Sequence, residues 1–183
     1  MRGKLETERL VLLLSSPQLA GPVAAYFRRN RDFLKDTEPV RDEEFFTPEF
    51  QRTLLENDKA DAATLRSLRY WIAKKQEPEK VIGMAALNGI VMGAFQSSYL
   101  SYRLDKNEIN KGYITEAIKK CVGIAFSELR LHRLEANIMP RNTASLRVAE
   151  KLGFVNEGVS REYLKINGVW EDHIHMVLLN RQV

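Results

Sequence analysis

Three stretches of the chain bring together residue types that can do chemistry. Ile109-Asn110-Lys111-Gly112-Tyr113-Ile114 places a glycine at the mouth of a long amphipathic segment. Glycine lets the backbone approach a ligand closely, and the unpaired N–H groups of a helix's first turn, with the macrodipole, hold a phosphate or pyrophosphate. Asn110 suits the same turn, because asparagine is the non-glycine type best able to adopt a left-handed conformation. The second stretch, Asn142-Thr143-Ala144-Ser145, opens another helix; its bland reading is a cap. The third pairs Glu135 with Asn137 on one face of the strand that leads to Asn142. Glu43 and Glu44 add further carboxylates, and the bland reading of Glu135 is a solvated strand residue.

Other candidates carry less. His173 and His175 share a strand face and His132 lies apart, too few ligands for a metal site, so none is expected. The single cysteine, Cys121, excludes an intramolecular disulfide and falls on an apolar helix face, where a packed thiol is expected. The net charge of +4, from 28 basic and 24 acidic residues scattered along the chain, gives no reason to expect nucleic acid as a partner. No apolar run approaches the roughly 20 residues of a membrane span. Met1-Arg2-Gly3-Lys4-Leu5-Glu6 also lacks the apolar core of a signal peptide, so a cytoplasmic protein without a membrane partner is expected.

The elements that must position these residues follow from periodicity. With 183 residues, 44% hydrophobic and 28% charged, a single domain over 1–183 with its own core is expected. Glu8 to Leu14 reads as a buried first strand. Ser16-Pro17 starts a helix carrying Leu19, Val23, Tyr26 and Phe27 toward Asn30; Arg31 to Glu44 reads as irregular. Thr47-Pro48-Glu49 starts a second helix, ending near Asn57. Leu68 to Ala73 and Val81 to Leu87 form an antiparallel pair around Gln76–Lys80, and Ser97 to Leu104 is a third sheet strand feeding the glycine loop. Ile114, Ala117, Ile118, Cys121, Val122, Ala125, Phe126 and Leu129 make a full helical stripe. A strand over Arg133–Met139 and a helix from Asn142 ending at Gly153 follow, then two strands, Phe154–Leu164 and Trp170–Leu179, around the Asn167-Gly168 turn. Trp170 and Tyr163 read as sheet packing. The fold class is α/β, with a mixed, mostly antiparallel twisted sheet of about seven strands flanked by four helices.

This order of elements resembles the GNAT acetyltransferase superfamily. Ile109–Ile114 falls where that family has its pyrophosphate loop, R/Q-x-x-G-x-G/A, with Gly112 kept and Ile109 and Ile114 in the outer positions. Asn142–Ser145 resembles the family's N-x-x-S helix opening, and Lys151-Leu152-Gly153-Phe154 with Glu157-Gly158 its L-G-F-x-x-E-G continuation. Gly93–Tyr102, His132-Arg133, Met139–Asn142, Tyr163–His173, Glu6–Leu10 and Asn30–Leu34 with Glu38-Pro39 are similar to the RimJ/RimL-type ribosomal-protein alanine N-acetyltransferases.

The resemblance implies an acetyl-CoA-dependent N-acetyltransferase in which an amine attacks the thioester directly, in a ternary complex. Acetyl-CoA would lie against Leu104, Ile109, Asn110, Lys111, Gly112, Tyr113, Ile114 and Asn142, its pantetheine arm pairing as an extra strand where Tyr99–Leu104 and Leu134–Met139 part. A backbone N–H of Tyr99–Leu104 would meet the thioester oxygen. Ser145 and Asn142 are the catalytic candidates, Ser145 as proton donor to the thiolate. The implied acceptor is a protein or peptide N-terminal amine, such as that of a ribosomal protein, and the family binds its substrate near Glu43 and Glu44. The alternatives are a small-molecule amine as acceptor and a catalytically idle acetyl-CoA-binding protein. The final strands and Phe95–Ser98 are the places where a homodimer edge would form.

Overall fold

A computed structural model describes residues 3–182. In chain order they form β1 (Lys4–Glu6), β2 (Leu10–Leu14), α1 (Ala20–Leu34), α2 (Pro48–Ala63), β3 (Leu68–Lys74) and β4 (Glu77–Val91). Then come β5 (Ser97–Leu104), α3 (Tyr113–Ser127), β6 (Arg133–Ile138), α4 (Thr143–Lys151), β7 (Val155–Ile166) and β8 (Val169–Leu179). Single 3-10 turns, Pro17–Leu19 and Glu43–Phe46, precede α1 and α2. The strands make one eight-stranded sheet in the order β1-β2-β3-β4-β5-β6-β8-β7. Every neighbouring pair is antiparallel except β5 and β6.

Alternation in the central strands feeds two helical layers, because successive side chains point to opposite faces. Tyr70, Ile72, Ile82, Ala85 and Leu87 pack with Ala117, Ile118, Cys121 and Ala125 of α3. Trp71, Met84 and Ala86 face the other way, against Val23, Tyr26 and Phe27 of α1 and Leu55 of α2. Each large apolar side chain so buried contributes about 1.5–3 kcal/mol. Where β4 meets β5, Gly83 is required: a Cβ there would lie 2.5 Å from the Arg103 carbonyl oxygen. That close approach lets β4 pair with β5 up to Leu104, the residue before the loop.

Several boundaries differ from the sequence reading. The sheet gains an eighth strand, β1, because Lys4–Glu6 pairs with Val11–Leu13 and buries Leu5; Glu8 and Arg9 lie in the turn between them rather than in a strand. α1 runs on to Leu34 because Asn30, which reads as a stop, donates its amide to the Tyr26 carbonyl and stays buried inside the helix. α2 continues past Asn57 to Ala63, its later turns anchored by Asp58, which accepts from Ser15 and Arg69. β4 extends both ways, so its turn with β3 shrinks to Lys75-Gln76. Trp170 is 56% exposed and does not pack into the sheet. The Thr47 cap is present, its hydroxyl accepting from the Phe50 N–H at 3.3 Å. Among the described residues no helix is long and apolar enough to cross a membrane.

Candidate active site

The sheet parts in its middle. β5 and β6 pair in register only over Ser97–Tyr99 with Arg133–Glu135. Beyond that point β5 stays with β4 to Leu104 and β6 stays with β8 to Ile138, so their facing edges diverge. The result is a V whose walls are backbone N–H and C=O groups with no strand between them. Buried backbone of this kind demands partners, and an extended ligand can supply them as an added strand. The start of α3 follows the end of β5, and the start of α4 follows the end of β6.

Around the α3 end, the chain is tied down by charged groups. Asp105 is 1% exposed; its side chain meets Arg29 Nε at 2.6 Å and the Asn107 N–H at 3.0 Å. Burial works to raise its pKa, but these partners outweigh it and hold the carboxyl below its ordinary value. Asn30 Oδ1 accepts from the Lys106 N–H, and Glu108 takes both Lys74 and Lys111. The loop then turns through two left-handed residues, Asn110 at φ +62° and Gly112 at φ +79°. Gly112 is the N-cap of α3 and no side chain caps it. The first-turn N–H groups of Tyr113, Ile114 and Thr115 therefore keep their donors for a ligand.

Arg9, more than a hundred residues away in sequence, clamps this turn from outside. Its Nη1 donates to the Lys111 carbonyl at 3.0 Å, its Nε meets Glu116 at 2.7 Å, and its guanidinium lies 4.6 Å from the Tyr113 ring centre. Glu116 also accepts from Thr7 Oγ1 and the Arg9 N–H, and these bonds overcome burial to hold its carboxyl below the usual range. Arg9 and Lys111, each in an ion pair with a glutamate, thus stand beside the open amides. Lys111 is exposed, and the Ile114 side chain packs on the core rather than into the turn. Ile109 is exposed, whereas the Leu104 side chain is buried, leaving only its backbone to face a ligand.

At the α4 end, Asn142 caps the helix: its Oδ1 accepts from the Ser145 N–H at 3.2 Å. Tyr102, from β5, donates its hydroxyl to the Ser145 carbonyl at 2.9 Å. Burial pushes the Tyr102 pKa well above its ordinary value, so the hydroxyl remains a donor. This bond ties β5 to the first turn of α4 and fixes that turn, with the Ser145 side chain half-buried.

The face of the sheet away from α3 and α4 forms the other side of the site. α1 and α2 cover it over β3 and β4. Farther on it carries Glu135, Asn137, His173, His175, Ser160 and Tyr163. The 35–40 segment and the β7–β8 turn meet across this face: Asn167 accepts from the Val40 N–H at 2.7 Å and donates to the Lys35 and Glu38 carbonyls. Glu38 pairs with Arg103 of β5, and Arg141 with Glu171. A cavity of about 130 Å³ opens beside this bridge, lined by Phe27, Leu34, Phe45 and Phe46 with Arg31 and Arg41.

Three of the residues singled out in the sequence are paired or packed, Cys121 as expected. Glu43 is paired with Arg31 at 2.7 Å, in the turn before α2. Glu135 accepts from Arg133 at 2.8 Å and meets His175 Nδ1 at 2.6 Å, partners that prevail over burial and keep it ionised. Cys121 is fully packed in α3 and its thiol is pushed up to about 12 by burial.

A sheet that parts between β5 and β6, an uncapped helix start at one mouth and polar side chains on the opposite face suit a two-substrate transferase with an extended donor that carries an anion at one end. A family model described as an acetyltransferase (GNAT) domain matches residues 9–155, and the chain belongs to that family. It is 40% identical over 151 residues to a probable N-acetyltransferase, YjcK, of Bacillus subtilis, covering 82% of this chain and 83% of that one. It is 34% identical over 175 residues to the ribosomal protein uS5-alanine N-acetyltransferase of Escherichia coli, covering 93% and 88%. The crystal structure of the ribosomal-protein-S5-alanine acetyltransferase from Vibrio fischeri superposes with a TM-score of 0.92 at 34% identity, covering 98% and 97%. The chain is an acetyltransferase, and acetyl-CoA is its cosubstrate.

Proposed function

We propose that this acetyltransferase acts in the cytoplasm on the N-terminal α-amine of a protein, with ribosomal proteins as the substrate class, by direct attack in a ternary complex. The observation that carries the reading is the V between β5 and β6, open at one mouth to the uncapped Gly112 turn, with the polar side chains of Glu135, Asn137 and His175 on the face opposite α3 and α4. Relatives at 34% identity over nearly the whole chain carry the name of a uS5-alanine N-acetyltransferase, which supports the choice of acceptor.

Bound acetyl-CoA supplies an acyl group activated as a thioester. The N–H groups from Asn110 to Ile114, with Arg9 and Lys111 beside them, hold the pyrophosphate. Backbone groups of β5 on the V align the thioester, and one N–H there meets the oxygen as charge develops on it. Asn142 and Tyr102 fix the first turn of α4 so that the Ser145 hydroxyl reaches the departing sulfur and protonates it. The attacking amine needs little help: an α-amine has a pKa of about 7.7–8.0, so on the order of a tenth is neutral at pH 7.

The test is free-thiol release from acetyl-CoA with a panel of amines: peptides with free N-termini beginning with alanine or serine, and small amines such as an amino acid, a polyamine and an aminoglycoside. Turnover concentrated on the peptides supports the reading. Turnover confined to a small amine reassigns the acceptor, and no release with any amine marks an idle acetyl-CoA binder.

A further inference from the structure

The groove face of β6 holds an unmet hydrogen-bond acceptor. Asn137 donates its Nδ2 to the Tyr163 hydroxyl at 3.0 Å, while its Oδ1 is buried and accepts from nothing. Its neighbours are satisfied. Glu135 is taken by Arg133 and His175, and the second nitrogen of His175 lies 2.7 Å from Ser160 Oγ. Only two other buried side-chain atoms among the described residues lack a partner, Tyr26 Oη and Arg69 Nε, and both lie toward the N-terminal half. A buried, unpaired carbonyl oxygen costs free energy that a ligand N–H recovers.

Its place in the sheet says which ligand. The β5–β6 pairing ends at Tyr99 with Glu135, so Asn137 is the next residue on that face, at the point where the V opens. It points away from α3 and α4, whose side of β6 is lined by Leu134, Ala136 and Ile138. A group entering from the groove toward a thioester in the V meets Asn137 there. The Tyr99 side chain, 46% exposed and interacting with Tyr163, stands on the same face at the end of the β5–β6 pairing.

We infer that Asn137 Oδ1 receives the incoming acceptor amine and holds it for attack. The inference rests on the acetyl-transfer reading above and requires only that the acceptor be a primary amine. A neutral amide oxygen suits the task chemically. It binds an N–H without favouring the ammonium form, as a carboxylate in the same position would, and so leaves the nitrogen lone pair for the carbonyl carbon. Carbon–nitrogen bond formation then proceeds with loss of one proton from nitrogen, while the carbon–sulfur bond breaks and the sulfur gains one.

The experiment compares wild type with Asn137→Leu, which removes the amide at similar volume. The expected result is a loss of at least tenfold in kcat/KM for the acceptor, carried mainly by acceptor KM. The acetyl-CoA Kd should not change, and the melting temperature should move by only a few degrees, because the lost bond from Nδ2 to Tyr163 is offset by removal of the buried, unpaired oxygen. An acceptor KM equal to wild type overturns the inference, as does a loss matched by weaker acetyl-CoA binding. If wild type uses a small amine and no peptide, the N-terminal reading fails while the same comparison, run with that amine, still judges Asn137. If no amine turns over, the Asn137 side-chain amide resonances, identified by their absence from Asn137→Leu, are followed as an alanine-initiated tripeptide amide is added to the CoA-bound protein. A shift supports the inference and constancy overturns it.

Discussion

Substituting Gly112 by alanine separates a strained turn from a phosphate site. Gly112 sits at φ +79°, where a Cβ costs roughly 1–2 kcal/mol. Alanine also narrows the unfolded ensemble, which returns about 0.4–1 kcal/mol. The net destabilisation is then on the order of 1 kcal/mol, or roughly 2–4 °C in melting temperature for a chain of this size. The new methyl would lie 3.4 Å from Arg9 Nη2, a contact the flexible guanidinium can relieve by a small shift. That shift disturbs the bond to the Lys111 carbonyl, and the methyl crowds the open amides. Losing one charge-assisted hydrogen bond of about 1.5–3 kcal/mol raises Kd by about ten- to a hundredfold. Calorimetric titration of Gly112→Ala with acetyl-CoA, and with an acetyl-pantetheine lacking the pyrophosphate, reads the two effects apart. The expected outcome is weaker acetyl-CoA binding with acetyl-pantetheine unaffected. A lower melting temperature with an unchanged acetyl-CoA Kd would refute the assignment of the loop.

Other perturbations follow from the same geometry. Ser145→Ala should lower kcat with little change in acetyl-CoA affinity; steady-state kinetics with an unchanged kcat would remove the hydroxyl from the reaction. Asn142→Ala should destabilise the protein by about 1 kcal/mol through loss of the cap and also lower kcat, whereas Asn142→Asp, which still caps, should keep the stability. Tyr102→Phe should reduce kcat by loosening the turn that carries Ser145, and thermal melting should show a loss of about 1 kcal/mol. The folded pKa of Glu116 is held below the ordinary glutamate value of 4.5, so it contributes stability that is present above about pH 4.5 and is lost as the pH falls through its lowered folded value. Melting temperatures measured over that acid range should fall less steeply for Glu116→Gln than for wild type.

Local chemistry was the legible part of the sequence. The apolar stripe of α3, the left-handed Asn110, the caps at Thr47 and Asn142 and the Asn167-Gly168 turn each depend on residues within a turn or two, and each is present. Element ends were less so: Asn30 and Asn57 look like stops, yet tertiary partners carry both helices onward. What escaped reading was whatever joins distant segments. Nothing local in Glu8-Arg9-Leu10 says that Arg9 will brace the Gly112 turn, or that Asn167 will reach Val40. The length of the β5–β6 pairing is likewise a property of two strands at once, so the V could be expected only through a family resemblance. The partner of Glu43 belongs with these long-range contacts, since nothing in the loop says that the carboxylate will meet Arg31 of α1.

The central claim is that a terminal α-amine enters the groove and takes the acetyl group from a cosubstrate lying in the V. The most direct measurement uses one peptide that begins with alanine, carries an internal lysine and is incubated with the protein and acetyl-CoA, with fragment mass analysis to locate the acetyl group. Acetyl on the α-amine alone, with the Gly112→Ala variant slower at low acetyl-CoA, is the predicted result. Acetyl on the lysine, or none while a small amine is consumed, would contradict the account.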